Sequence, residues 1–312
     1  MSFSVTILGS NSAIPTPERF PTAQVLNVHE RFFLLDCGEG TQIRLRQFGI
    51  NISRINHVFI SHLHGDHVFG LFGLISTFTL LGRKNDLHIH AHSDFEVSLE
   101  HYKKYFGTGL CYNIVFHPFV AARKGEIYED RHLSVEIIPL RHSVPVVGFI
   151  FREKAKLLNI KKEAIQKYSL GIKDIRRIKE GMDYTNEAGE VIPNSHLTLP
   201  PLKPRSYAFC TDTLIFSKLT SLLRDIDLLY FESTFIDIDK KLARLTGHST
   251  AAQAARLAKE TNVGKLIIGH FSTRYKDTVV FEEEARKIFA ETYAVKDGEK
   301  YEIPQVRVEL PA

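Results

Sequence analysis

The sequence of 312 residues predicts a mixed α/β protein. Short apolar runs typical of buried strands alternate along the chain with amphipathic segments at helical spacing. Several apolar runs end directly in polar clusters, an arrangement typical of sheet proteins that assemble a site at one edge of a sheet. A content of 44% hydrophobic and 24% charged residues is typical of a globular chain with a large core and argues against disorder.

Hydrophobic period and flanking polar residues together predict the individual elements. The predicted strands are FSVTILGS, QVLNV, RFFLLD, HVFISH, DLHIHAH, LSVEIIPLRH, VVGFIFRE, SYAFCTDT, IDLLYFES and VGKLIIGH. The predicted helices are QIRLRQFGI, VFGLFGLISTFTLLG, FEVSLEHYKKYF, TAAQAARLAKE and FEEEARKIFAE. The second of these helices is the most apolar segment of the chain. Its length of about fifteen residues is too short to span a bilayer, so we expect a core helix and no membrane contact.

The segment VFISHLHGDHVFG, residues 58–70, places four metal-ligand side chains directly after a predicted strand: His62, His64, Asp66 and His67. Neutral imidazoles and carboxylates suit zinc and, less well, other first-row divalent ions. Four donors this close in sequence cannot easily surround one ion. We therefore expect two neighbouring ions, with the first two histidines on one and the last two residues on the other. A chance cluster or a solvated polar loop is the alternative.

Three further ligand-type residues each follow an apolar strand in a distant part of the chain. They are His142 after IIPLR, Asp212 after YAFCT and His270 after LIIG. Each of these histidines can complete one ion, and the two oxygens of Asp212 can bridge both ions. The sequence therefore predicts a dinuclear metal site built from seven donors at one sheet edge.

These motifs resemble the metallo-β-lactamase superfamily and, within it, the tRNase Z family. The HLHGDH motif alone is shared with lactonases, sulfatases and glyoxalases. The narrower resemblance lies in LGSNSAIPTPERFPT, LLDCGEGTQ, FESTF, GHST and GHFSTRY, and it runs from residue 3 to about residue 290. It implies an αββα four-layer sandwich, in which two sheets pack face to face between outer helices and two Zn²⁺ ions per subunit lie at one edge.

The resemblance also implies an endoribonuclease that removes 3′ trailers from precursor tRNA, leaving a tRNA 3′-OH and a trailer 5′-phosphate. Asp66 is placed to accept a proton from a bridging water. His248 in GHST is the candidate proton donor to the departing oxygen, and Glu232 in FEST can orient its ring; a helix cap or a packed core ring is the alternative for His248. Arg274, one helical turn after His270, is the candidate phosphate ligand, with a surface salt bridge as the alternative.

Residues 152–182 are strongly basic, with ten Lys/Arg and four Asp/Glu, so this segment carries +6 and the rest of the chain −2. We predict a single domain, residues 1–312, with a helical arm inserted at 152–205. Its charge favours a polyanion, and a solvated amphipathic helix is the alternative. The arm occupies the place of the tRNA-clamping arm of the tRNase Z family. That arm usually carries a Gly-Pro element, which YSLGIKDIRRIKEG lacks.

The remaining features concern compartment and assembly. The three cysteines are far apart and form no CxxC pair, which is typical of a reduced, cytoplasmic protein; they are Cys37, Cys111 and Cys210. The resemblance implies a homodimer in which the arm of one subunit holds tRNA for the site of the other. The histidines of LHIHAH lie on one strand face, and we expect a structural or surface role for them; they are His88, His90 and His92.

Two rival functions use the same residues. A different metallo-hydrolase that acts on small phosphodiesters or esters would bind the same ions but would not need the basic arm. A non-catalytic tRNA-binding subunit would not need the complete ligand set.

Overall fold

A computed structural model describes residues 2–308, which divide into two compact units. The larger unit, called the body, comprises the chain up to Glu129 together with residues 135–151 and 206–303. The smaller unit, called the arm unit, comprises residues 130–134, residues 152–205 and the chain from Pro304 onward.

The body contains two seven-stranded sheets. The first sheet has the spatial order β16-β1-β2-β3-β4-β5-β6 and consists of β1 (Phe3–Gly9), β2 (Ala23–Val28), β3 (Arg31–Leu35), β4 (Ile55–Phe59), β5 (Leu87–His92), β6 (Ile114–Phe119) and β16 (Lys300–Glu302). The second sheet has the order β15-β14-β13-β12-β9-β8-β7 and consists of β7 (Gly125–Glu129), β8 (Leu133–Pro139), β9 (Val147–Glu153), β12 (Ser206–Cys210), β13 (Leu228–Glu232), β14 (Lys265–Gly269) and β15 (Thr292–Ala294).

Helices cover the sheets, which gives the α/β sandwich of the metallo-β-lactamase fold. The helices of the first half are α1 (Thr41–Gln47), α2 (Gly65–Val68), α3 (Gly70–Leu80) and α4 (Phe95–Phe106). Those of the second half of the body are α8 (Leu219–Leu222), α9 (Lys240–Thr246), α10 (Ala251–Glu260) and α11 (Val279–Arg286). Among the described residues, no helix is long and apolar enough to cross a membrane.

Two apolar layers hold the body together. On the outer face of the first sheet, strand residues such as Val58 and Ile89 pack with Leu74 and Phe78 of α3. Between the sheets the contacts are mainly aromatic. Phe59 lies 5.4 Å from Phe151 of the second sheet, measured between ring centroids. Burial of large rings on both sheets fixes which face of each sheet points inward.

The strand directions decide where the polar clusters meet. Strands β3 to β6 run parallel to one another, as do β12 to β15. The residues that follow β4, β12, β13 and β14 therefore emerge at carboxyl ends of strands, where sites are assembled in such sheets. The predicted polar termini of these strands become the loops of the candidate site.

A cluster of four histidines lies between the sheets, away from the predicted ligands. His57 and His88 stack at 4.6 Å, and His90 and His117 stack at 4.4 Å between ring centroids. Nδ1 of His57 lies 3.2 Å from Nε2 of His90, and Nδ1 of His88 lies 2.9 Å from Nε2 of His117. His90 is 1% exposed and also stacks on Phe59. The geometry is that of imidazoles packed against one another and against aromatic rings of the core.

The arm unit has its own small core. It contains α5 (Lys162–Lys167), α6 (Ile172–Lys179), the two-stranded hairpin β10 (Tyr184–Thr185) and β11 (Val191–Ile192), and α7 (Asn194–Leu197). The apolar residues at its centre are Ala164, Leu170, Ile178, Ile192 and Leu197. Its two ends are joined by a buried bidentate ion pair, in which Arg205 donates from Nε and Nη2 to Glu153 at 2.9 and 2.8 Å.

We predict that His90→Phe weakens the acid sensitivity of the body. Burial, followed by repulsion from His117, His57 and His88, lowers the pKa of His90 from 6.5 to about 2. The folded state therefore binds fewer protons than the unfolded chain, and stability falls as the pH drops below 6.5. Removing this group should flatten the slope of unfolding free energy against pH, between pH 6.5 and 5, by up to about 1.4 kcal/mol per pH unit.

Denaturant unfolding at several pH values, followed by circular dichroism, measures this slope. His101→Phe on the exposed face of α4 is the matched control and should leave the slope unchanged. Equal slopes for His90→Phe and the wild type would show that His90 does not contribute to acid sensitivity.

Candidate metal centre

The predicted ligands come from separate parts of the body and converge in one place. Loops after strands supply most of them, and α2 supplies the rest. The predicted donors form two groups, and within each group the ligand atoms lie within 4.8 Å of one another: His62, His64, His142 and Asp212 in the first, and Asp66, His67 and His270 in the second. A third group with the same spacing joins His248 to Asp212 and His270.

Asp212 lies between the two groups. Its Oδ2 is 3.6 Å from Nε2 of His62 and 3.7 Å from Nε2 of His142. Its Oδ1 is 3.3 Å from Nε2 of His67 and 3.2 Å from Nε2 of His270. One carboxylate thus directs one oxygen at each group, as expected of a residue that bridges two ions.

Asp66 and His64 complete the two groups. Oδ2 of Asp66 lies 3.4 Å from Nε2 of His67 and 3.6 Å from Nε2 of His270. Nδ1 of His64 lies 3.1 Å from Nε2 of His62. In each group the ligand atoms are therefore close enough to bind one common ion.

The donor set fits divalent cations. Nε2 of His67 and Nε2 of His270 are buried and have no hydrogen-bond partner, an arrangement that costs free energy unless a cation is bound there. Burial alone would raise the pKa of Asp212, but the imidazoles of His270, His67 and His62 hold it well below its usual value. A carboxylate that stays ionised in a buried place attracts positive charge, which metal ions supply.

Hydrogen bonds to Nδ1 fix the orientation of the His62 and His67 rings. Asp36 follows β3, and its Oδ2 lies 2.7 Å from Nδ1 of His67. Ser61 donates its backbone N–H and its hydroxyl to the same carboxylate, at 2.7 and 2.8 Å. Because the Ser61 hydroxyl donates to Asp36, its oxygen can accept a hydrogen bond from Nδ1 of His62, 3.0 Å away. Both rings therefore keep Nε2 free for a metal.

The rings of His142 and His270 are oriented in the same way by different groups. Nδ1 of His142 donates to the carbonyl of Gly247 at 3.0 Å. Gly247 has φ +79°, and a Cβ there would lie 2.8 Å from that nitrogen, so the position requires glycine. Thr234 donates its hydroxyl to Glu232 at 2.8 Å, so it accepts from Nδ1 of His270 at 2.9 Å.

The opening loop also reaches the centre through its backbone. The N–H of Ala13 donates to Oδ2 of Asp66 at 2.9 Å. Ala13 has φ +56°, and Asp212 and His270 also lie at positive φ, 38° and 62°. Strained backbone in non-glycine residues clusters at functional sites, where the surrounding structure holds it in place.

Glu232 and His248 form an ion pair beside the donors. Nδ1 of His248 lies 3.0 Å from Oε1 of Glu232, which is fully buried. The backbone N–H groups of Thr213 and Ser249 also donate to Oε1, at 3.0 Å each. Burial alone would lower the pKa of His248, but Glu232 raises it to about 9. The His248 ring lies 4.9 Å from that of His142, measured between centroids.

The capping alternative for His248 is not what the structure shows. Helix α10 is capped by Thr250, whose hydroxyl accepts from the backbone N–H of Gln253 at 3.3 Å. Arg274 is exposed, and within residues 2–308 no carboxylate lies in ion-pair distance of it, so the surface salt bridge is not observed either.

Several residues that orient the ligands were not assigned a role from sequence. They are Ala13, Asp36, Ser61, Thr234 and Gly247. Asp36 had a usable signal, because a carboxylate directly follows the buried run RFFLL. The others act through a backbone group or a hydroxyl, which sequence patterns do not distinguish from ordinary loop residues.

Comparisons with known proteins identify the family of the chain. A family model described as anti-Pycsar protein Apyc1 matches residues 3–157. A ribonuclease Z of Phocaeicola vulgatus is 43% identical, over 98% of this chain and 99% of that protein. A ribonuclease Z of Bacteroides fragilis is 45% identical, over 95% of this chain and 97% of that protein.

A solved structure extends the comparison to the fold. The crystal structure of the short form of human tRNase Z superimposes with a TM-score of 0.70 at 25% identity, covering 96% of this chain and 99% of that chain. With relatives of more than 40% identity along nearly its whole length, the chain belongs to the ribonuclease Z family.

Proposed function

We propose that this protein is a metal-dependent endoribonuclease that removes 3′ trailers from precursor tRNAs. One observation carries the proposal: two groups of donors share Asp212, and the Glu232–His248 pair lies beside them. Membership of the ribonuclease Z family supports the choice of tRNA, as does the name of the human structural neighbour.

We propose two Zn²⁺ ions per subunit as the cofactors. The proposed ligands are His62, His64 and His142 for one ion and Asp66, His67 and His270 for the other, with Asp212 shared. When bound, the ions would lower the pKa of a water molecule and neutralise charge on the scissile phosphate. Imidazole and carboxylate donors in this number suit zinc.

The side chains of this chain then divide the proton transfers between them. Asp66, held by the Ala13 N–H, accepts a proton from the attacking water. His248 donates a proton to the departing 3′ oxygen, and Glu232 holds the ring by its Nδ1 so that Nε2 is the donating atom. Arg274 contacts the scissile-site phosphate. The products are a tRNA with a 3′-OH and a trailer with a 5′-phosphate.

The inserted arm, residues 152–205, is proposed as the tRNA-binding element of an otherwise single catalytic domain. Lys173, Arg176 and Arg177 of α6 are exposed, and the arm has its own apolar core. An exposed basic surface on a folded element is suited to neutralise backbone phosphates. Where the family arm usually carries a Gly-Pro element, α6 of this chain is preceded by Gly171, and its apolar side packs on the core of the arm.

We also propose a homodimer in the cytoplasm. An apolar groove runs between α3 and α4 and is lined by Phe72, Tyr102, Tyr105 and Phe106. Phe106 is 72% exposed, and exposed apolar patches of this kind mark protein interfaces. The three cysteines are free, which suits a reducing compartment.

The function is tested with a precursor tRNA transcript and a chromogenic phosphodiester in parallel. We expect the wild type to cleave the transcript once, at the 3′ end of the tRNA. Asp212→Ala should abolish cleavage and lower the metal content, since both groups lose the shared ligand. Asp86→Ala removes an exposed carboxylate before β5 and should change neither quantity. Hydrolysis of the diester without cleavage of the transcript would favour an enzyme of small esters.

His248→Ala and Glu232→Ala should each lower kcat on precursor tRNA roughly a hundredfold or more, because each removes general-acid catalysis. Metal content, measured by atomic absorption, should stay at the wild-type level in His248→Ala because His248 is not a proposed ligand. Glu232→Ala also frees Thr234, which orients His270, so a partial loss of metal is expected in that variant. Loss of metal from His248→Ala would identify His248 as a ligand or a fold element instead.

Deleting residues 154–204 with a short Gly/Ser bridge should abolish precursor tRNA cleavage and spare the chromogenic diester. The deletion keeps Glu153 and Arg205, which join the ends of the arm. Changing Lys173, Arg176 and Arg177 to Gln keeps the core of the arm and should weaken tRNA binding with a shallower salt dependence, by up to about one unit of slope per lost phosphate contact. Unchanged tRNA affinity in the triple variant would contradict the role of α6.

Mixing subunits tests whether the arm acts across the dimer. Arm-deleted subunits mixed with arm-bearing Asp212→Ala subunits should recover cleavage in heterodimers. If heterodimers form and remain inactive, the arm serves the site of its own subunit.

A further inference from the structure

Arg141 and Phe216 form an exposed pair next to the metal ligands. The guanidinium carbon of Arg141 lies 4.7 Å from the centroid of the Phe216 ring. Arg141 is exposed and Phe216 is half-buried. In residues 2–308, no carboxylate lies within ion-pair distance of Arg141, so no ion pair within the described chain neutralises its charge.

Both members of the pair are tied to segments that carry metal ligands. Arg141 directly precedes His142, and Phe216 follows Asp212 by four positions. The N–H of Arg141 donates to the Thr213 hydroxyl at 3.0 Å, and its carbonyl accepts from the N–H of Leu214 at 2.9 Å. These two hydrogen bonds fix the Arg141–Phe216 pair relative to two ligands of the first donor group.

A pocket of about 540 Å³ adjoins the same arginine. Its lining includes His142 itself and the apolar side chains of Val144, Pro145 and Val146, as well as Arg141. The walls are mainly apolar, with charge at one side. Such a lining suits a flat, partly apolar group more than a free phosphate.

We propose that Arg141 and Phe216 form a stacking platform for the nucleobase of one nucleotide that flanks the scissile phosphate. The proposal rests on the proposed function, since it requires an RNA substrate at the metal centre. Bases of single-stranded RNA stack on aromatic rings and on guanidinium planes, and such stacking tolerates any base because each has a π face. A trailer of variable sequence requires this kind of tolerance. Phe216 does not line the pocket and contributes by packing on the guanidinium, which holds that plane in place for the base.

The test compares wild type, Arg141→Ala, Arg141→Lys and Phe216→Leu on three precursor tRNAs. One is intact, one has an abasic ribose immediately 5′ of the cleavage site, and one has it immediately 3′. On the intact transcript we expect kcat/KM to fall roughly tenfold to a hundredfold for both arginine variants, and to fall less for Phe216→Leu. On the abasic transcript that lacks the stacked base, wild type and Arg141→Ala should have the same, lowered kcat/KM. On the other abasic transcript, kcat/KM of Arg141→Ala should remain as far below that of the wild type as on the intact transcript. The pair of results identifies which side of the cleavage site is stacked.

Controls separate this role from others. Arg224→Ala removes an exposed arginine before β13 and should leave kcat/KM unchanged. Arg141→Ala should keep its metal content; loss of metal would show that Arg141 only supports the ligand loop. Wild-type activity in Arg141→Lys would show a phosphate contact instead. A loss that persists on both abasic transcripts would also overturn the platform. Failure of the wild type to cleave the intact transcript would contradict the proposed function, a separate result.

Discussion

The carboxylate of Asp212 is the group on which the rest of the site depends. It is 2% exposed, and its two oxygens face different pairs of imidazole nitrogens. A buried carboxylate is costly unless positive charge or hydrogen bonds surround it. The parallel strands of both sheets meet this requirement by bringing the residues after their carboxyl ends together. The charge balance of the centre therefore depends on the packing of the two sheets, because neither sheet alone supplies all the donors.

Orientation of the ligands is distributed over unrelated parts of the chain. A carboxylate, two hydroxyls and a backbone carbonyl each fix Nδ1 of one ring, so that Nε2 of each ring stays directed at the centre. Glu232 belongs to two such arrangements, since its Oε2 accepts from Thr234 and its Oε1 holds His248. A change at Glu232 therefore reaches the metal ligands through Thr234 and through the backbone N–H of Thr213, which directly follows Asp212, and it disturbs the proposed acid directly.

The sequence predicts the interior of the sandwich better than its borders. The central strands are continuous apolar runs, and the donors directly follow them, so both were predictable. Within the two seven-stranded sheets, the strands without a prediction are β6, β7, β15 and β16. All four are edge strands with mixed or polar sequences, because one side of each faces no neighbouring strand. Gly247 and Arg141 could not be assigned in advance. Gly247 contacts His142 across 105 positions, and Arg141 meets Phe216 only after both loops close on the site.

The inserted arm is held together by contacts within the arm unit. Glu153 and Arg205 are 52 positions apart and yet share a buried bidentate ion pair, so the arm begins and ends at one place. The entropy of closing so long a loop is offset within the arm unit itself, by that pair and by a separate apolar core. The basic residues of α6 are exposed and not needed for that core, so they can change without altering the donors around Asp212. The proposed tRNA-binding surface and the proposed metal centre can therefore be altered independently in this chain.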